Sequence, residues 1–142
     1  MGIPAILEIH DLVRLYHKCH CLVYPTSGEG FGLIPLEAMA TGLPTIITNA
    51  TGCTDYAQLG IPISATMIKA DWHDHVYNDD TGYWASPNFD ELLNAMKNVV
   101  NEYQEISNFA LRSARTIHSE WSWGAVADKI LLRYEDYQKT FN

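Results

Sequence analysis

Cys21-Leu22-Val23-Tyr24-Pro25-Thr26-Ser27-Gly28-Glu29-Gly30-Phe31-Gly32-Leu33-Ile34-Pro35-Leu36-Glu37-Ala38-Met39-Ala40-Thr41-Gly42-Leu43-Pro44-Thr45-Ile46-Ile47-Thr48 is the stretch whose pattern decides the fold. Four apolar residues, 21–24, run into Pro25 and Gly28, and a short apolar run ended by turn residues predicts a buried strand. A glycine-rich turn over 28–32 leads into 33–41, a segment of good helix formers without glycine. Gly42 stands where a left-handed residue ends a helix, with Pro44 two positions on. Thr45-Ile46-Ile47-Thr48 is β-branched throughout and predicts a second buried strand. Upstream, Ile9, Leu12, Val13, Tyr16 and Cys19 recur at helical spacing, which predicts a helix over about 8–19. Helix, strand, helix, strand is the order of a parallel α/β layer.

The remaining chain is helical towards its end. Residues 61–68 suit a third strand despite Pro62, and 71–88 read as an ordered, turn-rich loop. Asn88 and Glu91 form a capping pair for a stripe of Leu92, Leu93, Met96, Val99, Val100 and Tyr103. A second helix over about 105–119 carries Ile106, Phe109, Ala110, Ala114 and Ile117. Ser122 can cap a third over about 123–139, with Val126, Ile130, Leu131, Tyr134 and Tyr137 on one side.

With 142 residues, 47% apolar and 18% charged, the composition is that of an ordinary globular chain, read as a single domain over 1–142. Nine Lys and Arg against 17 Asp and Glu leave a net charge of −8. That argues against nucleic acid as the main partner, and equally against docking on an anionic membrane through this chain. There is no apolar run of membrane-spanning length and no leader pattern at the N-terminus. Three cysteines, an odd count without a secretory signal, fit reduced thiols and a cytoplasmic location.

The chemistry lies in Glu29-Gly30-Phe31-Gly32-Leu33-Ile34-Pro35-Leu36-Glu37. A strand ends, two glycines let a ligand approach the backbone, and a helix opens with free N–H groups. Those amides and the positive end of the helix dipole attract a phosphate. Two carboxylates beside it suit sugar hydroxyls, which donate hydrogen bonds to carboxylate oxygens. A phosphate flanked by sugars is a nucleotide-sugar. The bland alternative is a tight strand-to-helix turn with two incidental glutamates. Pro35 stands beyond the two glycines without a third, so the dinucleotide fingerprint is not met, and the lysine of a phosphate-binding P-loop is absent.

These residues resemble the family 4 retaining glycosyltransferases of the GT-B fold. Pro25-Thr26-Ser27 before Glu29-Gly30-Phe31-Gly32-Leu33, then Glu37-Ala38-Met39-Ala40 and Gly42-Leu43-Pro44, carry the likeness, and Glu29 and Glu37 meet its E-x7-E signature. Thr81-Gly82-Tyr83-Trp84 and Ser122-Trp123 resemble later parts of that family more loosely. The resemblance implies a partial Rossmann-like parallel sheet of a GT-B C-terminal domain, followed by helices. It implies that Glu29 contacts the transferred sugar at the catalytic centre and that Glu37 binds the ribose. Backbone groups of Gly30, Phe31, Gly32 and Leu33 would hold sugar and diphosphate. The donor expected is a UDP- or GDP-sugar, with no metal and no other cofactor.

Three departures qualify the likeness. The Lys and Arg that neutralise the donor diphosphate in that family lie in units before residue 1, and Arg14 and Lys18 sit on the wrong helix to replace them. The acceptor-binding N-terminal domain, or a partner chain supplying it, is expected from outside these residues. Thr51-Gly52-Cys53-Thr54-Asp55-Tyr56 replaces a common glycine-rich loop. A nucleotide-sugar-binding or assembly module, inactive without a separate acceptor domain, is the competing reading. Self-association is expected, through a sheet edge or the helix 123–139. His17, Cys19, His20 and Cys21 do not read as metal ligands, and the cysteines read as buried core residues; Asp71, His73, Asp74, His75, Asp79 and Asp80 read as a solvated loop. The tryptophans read as packing residues.

Overall fold

A computed structural model describes residues 9–70 and 82–141, and its three-stranded sheet is built around β2 (Thr45–Thr48), in which all four residues are buried. β1 (Leu22–Tyr24) and β3 (Ile61–Ile63) flank β2, both parallel to it, with Val23 opposite Ile46 and Thr48 opposite Ile63. Strand alternation sends Ile46 and Ile47 to opposite faces. Ile47 packs with Leu36 and Met39 of α2 (Leu33–Ala40) and with Ile117 of α4 (Tyr103–Glu120). Ile46 and Ile63 pack with Ala95 and Val99 of α3 (Phe89–Asn101). Helices thus cover both faces, as a parallel sheet requires. Each fully buried isoleucine contributes about 1.5–3 kcal/mol. This is the Rossmann-like α/β arrangement of a GT-B C-terminal domain.

α1 (Ile9–His17) lays Tyr16 against Ala38 and Leu43, with Leu12 beside them. Gly42 ends α2 with φ +80°, and its amide donates to Met39 O at 2.9 Å. Asn88 caps α3, its Oδ1 accepting from the amides of Asp90 and Glu91 at 3.1 and 3.2 Å. Ser122 Oγ accepts from Ala125 N at 3.2 Å at the start of α5 (Trp123–Phe141).

Several expectations are corrected. The run 61–68 is two strands: β3 joins the parallel sheet, whereas β4 (Ala65–Lys69) pairs antiparallel with β5 (Tyr83–Pro87). The chain changes partner at Ser64, whose amide and hydroxyl both donate to the Glu91 carboxylate at 2.6 and 2.7 Å. These bonds hold the Glu91 carboxyl below its ordinary range. The end of the expected loop is therefore strand. Tyr83, Trp84 and Ala85 suit a β ladder, and Pro87 closes it. β1 is half-exposed because it lies at the edge of its sheet among the described residues. Val100 belongs to the apolar stripe of α3 by spacing but is 79% exposed. Cys19 is exposed, Cys21 half-buried and Cys53 buried, while the His20 ring meets Tyr103 at 5.5 Å. Trp123 is exposed and does not pack as expected. Ile130, Leu131, Leu132, Tyr134 and Tyr137 of α5 are exposed as well. The loop residues 71–80, with Trp72, lie outside the described residues. No described helix is long and apolar enough to cross a membrane.

Candidate functional site

The loops that follow β1 and β2 leave the sheet at the same edge, because the strands are parallel, and ligands of open α/β sheets bind beyond the carboxyl ends of the strands. The first loop carries Glu29, Gly30, Phe31 and Gly32 into α2. The second, Asn49 to Tyr56, runs beneath it as a 3-10 turn over Thr51–Asp55. Thr51 Oγ1 accepts from Glu29 N at 3.1 Å, and Gly52 N donates to Glu29 O at 3.0 Å. Thr51 makes its bond from a left-handed conformation, φ 52°, uncommon for a β-branched residue. Gly52 must be glycine: a Cβ there would lie 2.5 Å from Gly30 C and 2.7 Å from Phe31 Cα.

Glu29 is half-buried, and its Oε1 accepts from the Tyr24 hydroxyl at the end of β1. With both backbone groups and one carboxylate oxygen held, Glu29 Oε2 is the atom left for a ligand. The hydrogen bond to Glu29, helped by desolvation, pushes the Tyr24 phenol up to about 12. A phenol raised in the folded state keeps its proton after the unfolded chain has lost one. Its contribution to stability is therefore full below pH 10 and lost as pH rises from 10 towards about 12. Glu29→Gln is expected to return the Tyr24 titration towards the ordinary tyrosine value of about 10. Tyrosine ζ-carbon NMR across that range, with Tyr24→Phe to assign the signal, measures it.

Gly32 precedes α2 with φ +84°, and a Cβ there would meet Cys53 Sγ at 2.8 Å and the Tyr56 hydroxyl more closely still. Among the described residues, no side chain caps this helix N-terminus. Gly30, like Gly28, differs from Gly32 and Gly52: beyond its chain neighbours, a Cβ on it would meet nothing within 4 Å among the described residues. Behind the loop, Phe31, Tyr56 and Trp121 form a triangle of rings with centroids 5.6, 5.7 and 5.9 Å apart. Trp121, at the junction of α4 and α5, thereby ties the C-terminal helices to the loop.

Glu37 lies one turn into α2, exposed, and borders the two cavities beside that helix. One, of about 450 Å³, is lined by Phe31, Leu33, Trp121 and Val126 among others. The other, of about 510 Å³, is lined by Leu12, Val13, Tyr16 and His17 of α1. His118 borders both, and its Nε2 donates to Ala40 O at 2.9 Å near the C-terminus of α2. Neither lining includes Lys or Arg; Arg14 pairs instead with Asp11 on α1 at 3.4 Å.

The structure brings Glu29, Gly30, Phe31, Gly32 and Leu33 to one loop-to-helix corner, with Glu37 one turn along. Sequence reasoning missed Tyr24, Thr51, Gly52, Tyr56 and Trp121. Thr51 and Gly52 carried a usable signal, since parallel strands place successive loops side by side. Tyr24, Tyr56 and Trp121 carried none, because their partners are fixed by tertiary packing.

A partial parallel sheet with helices on both faces, and a glycine turn that opens onto α2 beside Glu29, match the Rossmann-like C-terminal domain of a GT-B fold. The family described as glycosyl transferases group 1 matches residues 5–112, and the chain belongs to that family. Among its relatives is the capsular polysaccharide biosynthesis glycosyltransferase CapM of Staphylococcus aureus, 40% identical over 54 residues, covering 38% of this chain and 14% of CapM. The serotype-specific mannosyltransferase WbdA of Escherichia coli is 51% identical over 47 residues, covering 33% of this chain and 6% of WbdA. The alpha-1,3/1,6-mannosyltransferase ALG2 of Dictyostelium discoideum is 25% identical over 113 residues, covering 80% of this chain and 22% of ALG2. The chain thus spans less than a quarter of the length of each of these relatives.

Proposed function

We propose that the corner from Glu29 to Glu37 binds a nucleotide-diphospho-sugar as the donor side of a retaining glycosyl transfer of the family 4 kind. The observation that supports this reading is the α2 N-terminus, which no side chain caps among the described residues and which opens beside Gly30, where a Cβ would meet no described residue beyond its chain neighbours within 4 Å. Amides of Gly30, Gly32 and Leu33 and the helix dipole meet the diphosphate. Glu29 Oε2 accepts from a hydroxyl of the transferred sugar, and Glu37 accepts from the ribose. In transfer, the acceptor hydroxyl oxygen bonds to the anomeric carbon on the face the diphosphate leaves. The bond from that carbon to the phosphate oxygen breaks, and the hydroxyl proton passes to the departing phosphate. Amides aimed at the leaving group stabilise the charge that develops there. The mannosyltransferase names of WbdA and ALG2 favour a nucleotide-linked mannose as the first donor to test.

The two glutamates separate in a binding experiment. Glu37→Gln is expected to weaken bare nucleoside diphosphate and nucleotide-sugar equally, by the roughly 1.5–3 kcal/mol of a charge-assisted hydrogen bond. Glu29→Gln is expected to weaken the sugar-bearing ligand alone. Isothermal titration with both ligands checks this, and equal losses on the bare nucleotide would reverse the assignment. The exposed residues Ile130, Leu131 and Leu132 of α5 favour self-association of the isolated polypeptide. Sedimentation velocity is expected to show a concentration-dependent dimer, and a monomer at every concentration would refute it.

A further inference from the structure

Tyr56 is buried, 1% exposed, and its hydroxyl sits under the loop, facing the carbonyl oxygens of Phe31, at 2.8 Å, and of Gly32. Its other neighbour is Cys53 Sγ at 3.5 Å, a weak acceptor. Burial, together with the contact to Cys53, pushes the phenol well above its ordinary range, which favours the protonated, donating form. The described peptide bonds are all trans, and in a planar trans peptide the C=O and the following N–H point in opposite directions. Holding the Phe31 carbonyl inward therefore turns the Gly32 amide outward, and holding the Gly32 carbonyl inward turns the Leu33 amide outward. The Glu29 carbonyl, taken by Gly52 N at 3.0 Å, turns the Gly30 amide outward in the same way.

We infer that Tyr56 is a positioning residue for the donor diphosphate: its one hydroxyl proton, shared between the carbonyls of Phe31 and Gly32, sets the direction of the Gly32 and Leu33 amides. It touches neither sugar nor phosphate and acts through the peptide planes. Gly32 in the left-handed region makes the arrangement a nest of convergent amides, the geometry that binds anions. This inference rests on the nucleotide-sugar reading of the same corner.

The test is Tyr56→Phe, which keeps the ring of the aromatic triangle and removes the hydroxyl. Two readouts are taken on the isotope-labelled chain: N–H residual dipolar couplings of Gly32 and Leu33 without ligand, and affinity for inorganic pyrophosphate and GDP by titration. The expected result is reorientation of those two N–H vectors, with the sheet unchanged, and about tenfold weaker binding of both ligands. Unchanged couplings would overturn the inference, and so would changed couplings with unchanged affinity. A wild-type chain that binds neither ligand, nor UDP, ADP or TDP, would overturn the nucleotide-sugar reading and the diphosphate role of Tyr56 together; the couplings then still decide whether Tyr56 orients these amides. If the variant does not fold, the wild-type hydroxyl proton decides. Slow exchange, with a nuclear Overhauser contact to Gly32 or Leu33, supports the inference, and rapid exchange with water refutes it.

Discussion

Replacing Gly52 by alanine is expected to abolish measurable donor binding and to destabilise the fold. The new methyl group would meet Gly30 C at 2.5 Å and Phe31 Cα at 2.7 Å, and both are backbone atoms that no rotamer change can move aside. The 3-10 turn must then back away from the loop, which breaks the Gly52 N–H bond to Glu29 O and the Thr51 bond to Glu29 N. Overpacking of this kind costs about 1–3 kcal/mol, which lowers the Tm by about 6 °C for a domain of this size. Donor affinity falls by about a hundredfold, since Glu29 and the amides beyond it lose their floor. Gly30→Ala is the contrast. Beyond its chain neighbours, its Cβ meets no atom of the described residues within 4 Å, so the Tm is expected to stay unchanged while donor affinity still drops, because the methyl group occupies the ligand's proposed approach. Thermal melts and titrations on the two variants check the pair. A Gly30→Ala protein that melts like the wild type and binds as well would place the ligand elsewhere.

Much of this corner was legible in the sequence because its signals are local. Gly32 and Gly42 mark the two ends of α2, and both are left-handed in the structure. The four β-branched residues 45–48 are the central strand. The fate of 61–69 was not legible. Ile61–Ile63 and Ala65–Lys69 carry similar propensities, and only the partner available to each, β2 or β5, sends them to different sheets. The apolar stripe of α3 likewise overstated the core: periodicity names Val100, but the sheet covers only the side bearing Ala95 and Val99. In the proposed site, Glu29 and Glu37 are the residues that the E-x7-E spacing singles out. The floor formed by Thr51, Gly52 and Tyr56 depends on two loops meeting at one sheet edge, a long-range fact that no local pattern carries.

A polypeptide of these 142 residues, given a labelled donor and a pool of acceptors, is expected to bind the donor weakly and to transfer none of its sugar. Weak binding follows from cavities that no Lys or Arg lines and from a net charge of −8, whose field repels an anionic ligand. Absence of transfer follows from geometry. The acceptor hydroxyl must be held in line with the anomeric carbon, and such positioning is worth about 7–11 kcal/mol. In the GT-B arrangement a second domain supplies that wall, and on the function proposed above this corner would form one side of such a cleft. Slow donor hydrolysis is compatible with this, since water needs no acceptor pocket. Following label into acceptor and into free sugar separately checks the expectation. Turnover into acceptor by the monomeric polypeptide would mean that α2 and its loop, with their surroundings, already hold both substrates.

The most direct measurement of the central claim is an NMR titration of the isotope-labelled chain with UDP-, GDP-, ADP- and TDP-sugars, GDP-mannose among them. The account predicts that one nucleotide class shifts the amides of Gly30, Gly32, Leu33 and Ile34 first and most. Glu37→Gln is expected to weaken that response, and the same sugar without its nucleotide to leave it absent. Shifts centred away from this corner, or no shift with any donor at millimolar concentration, would contradict the account.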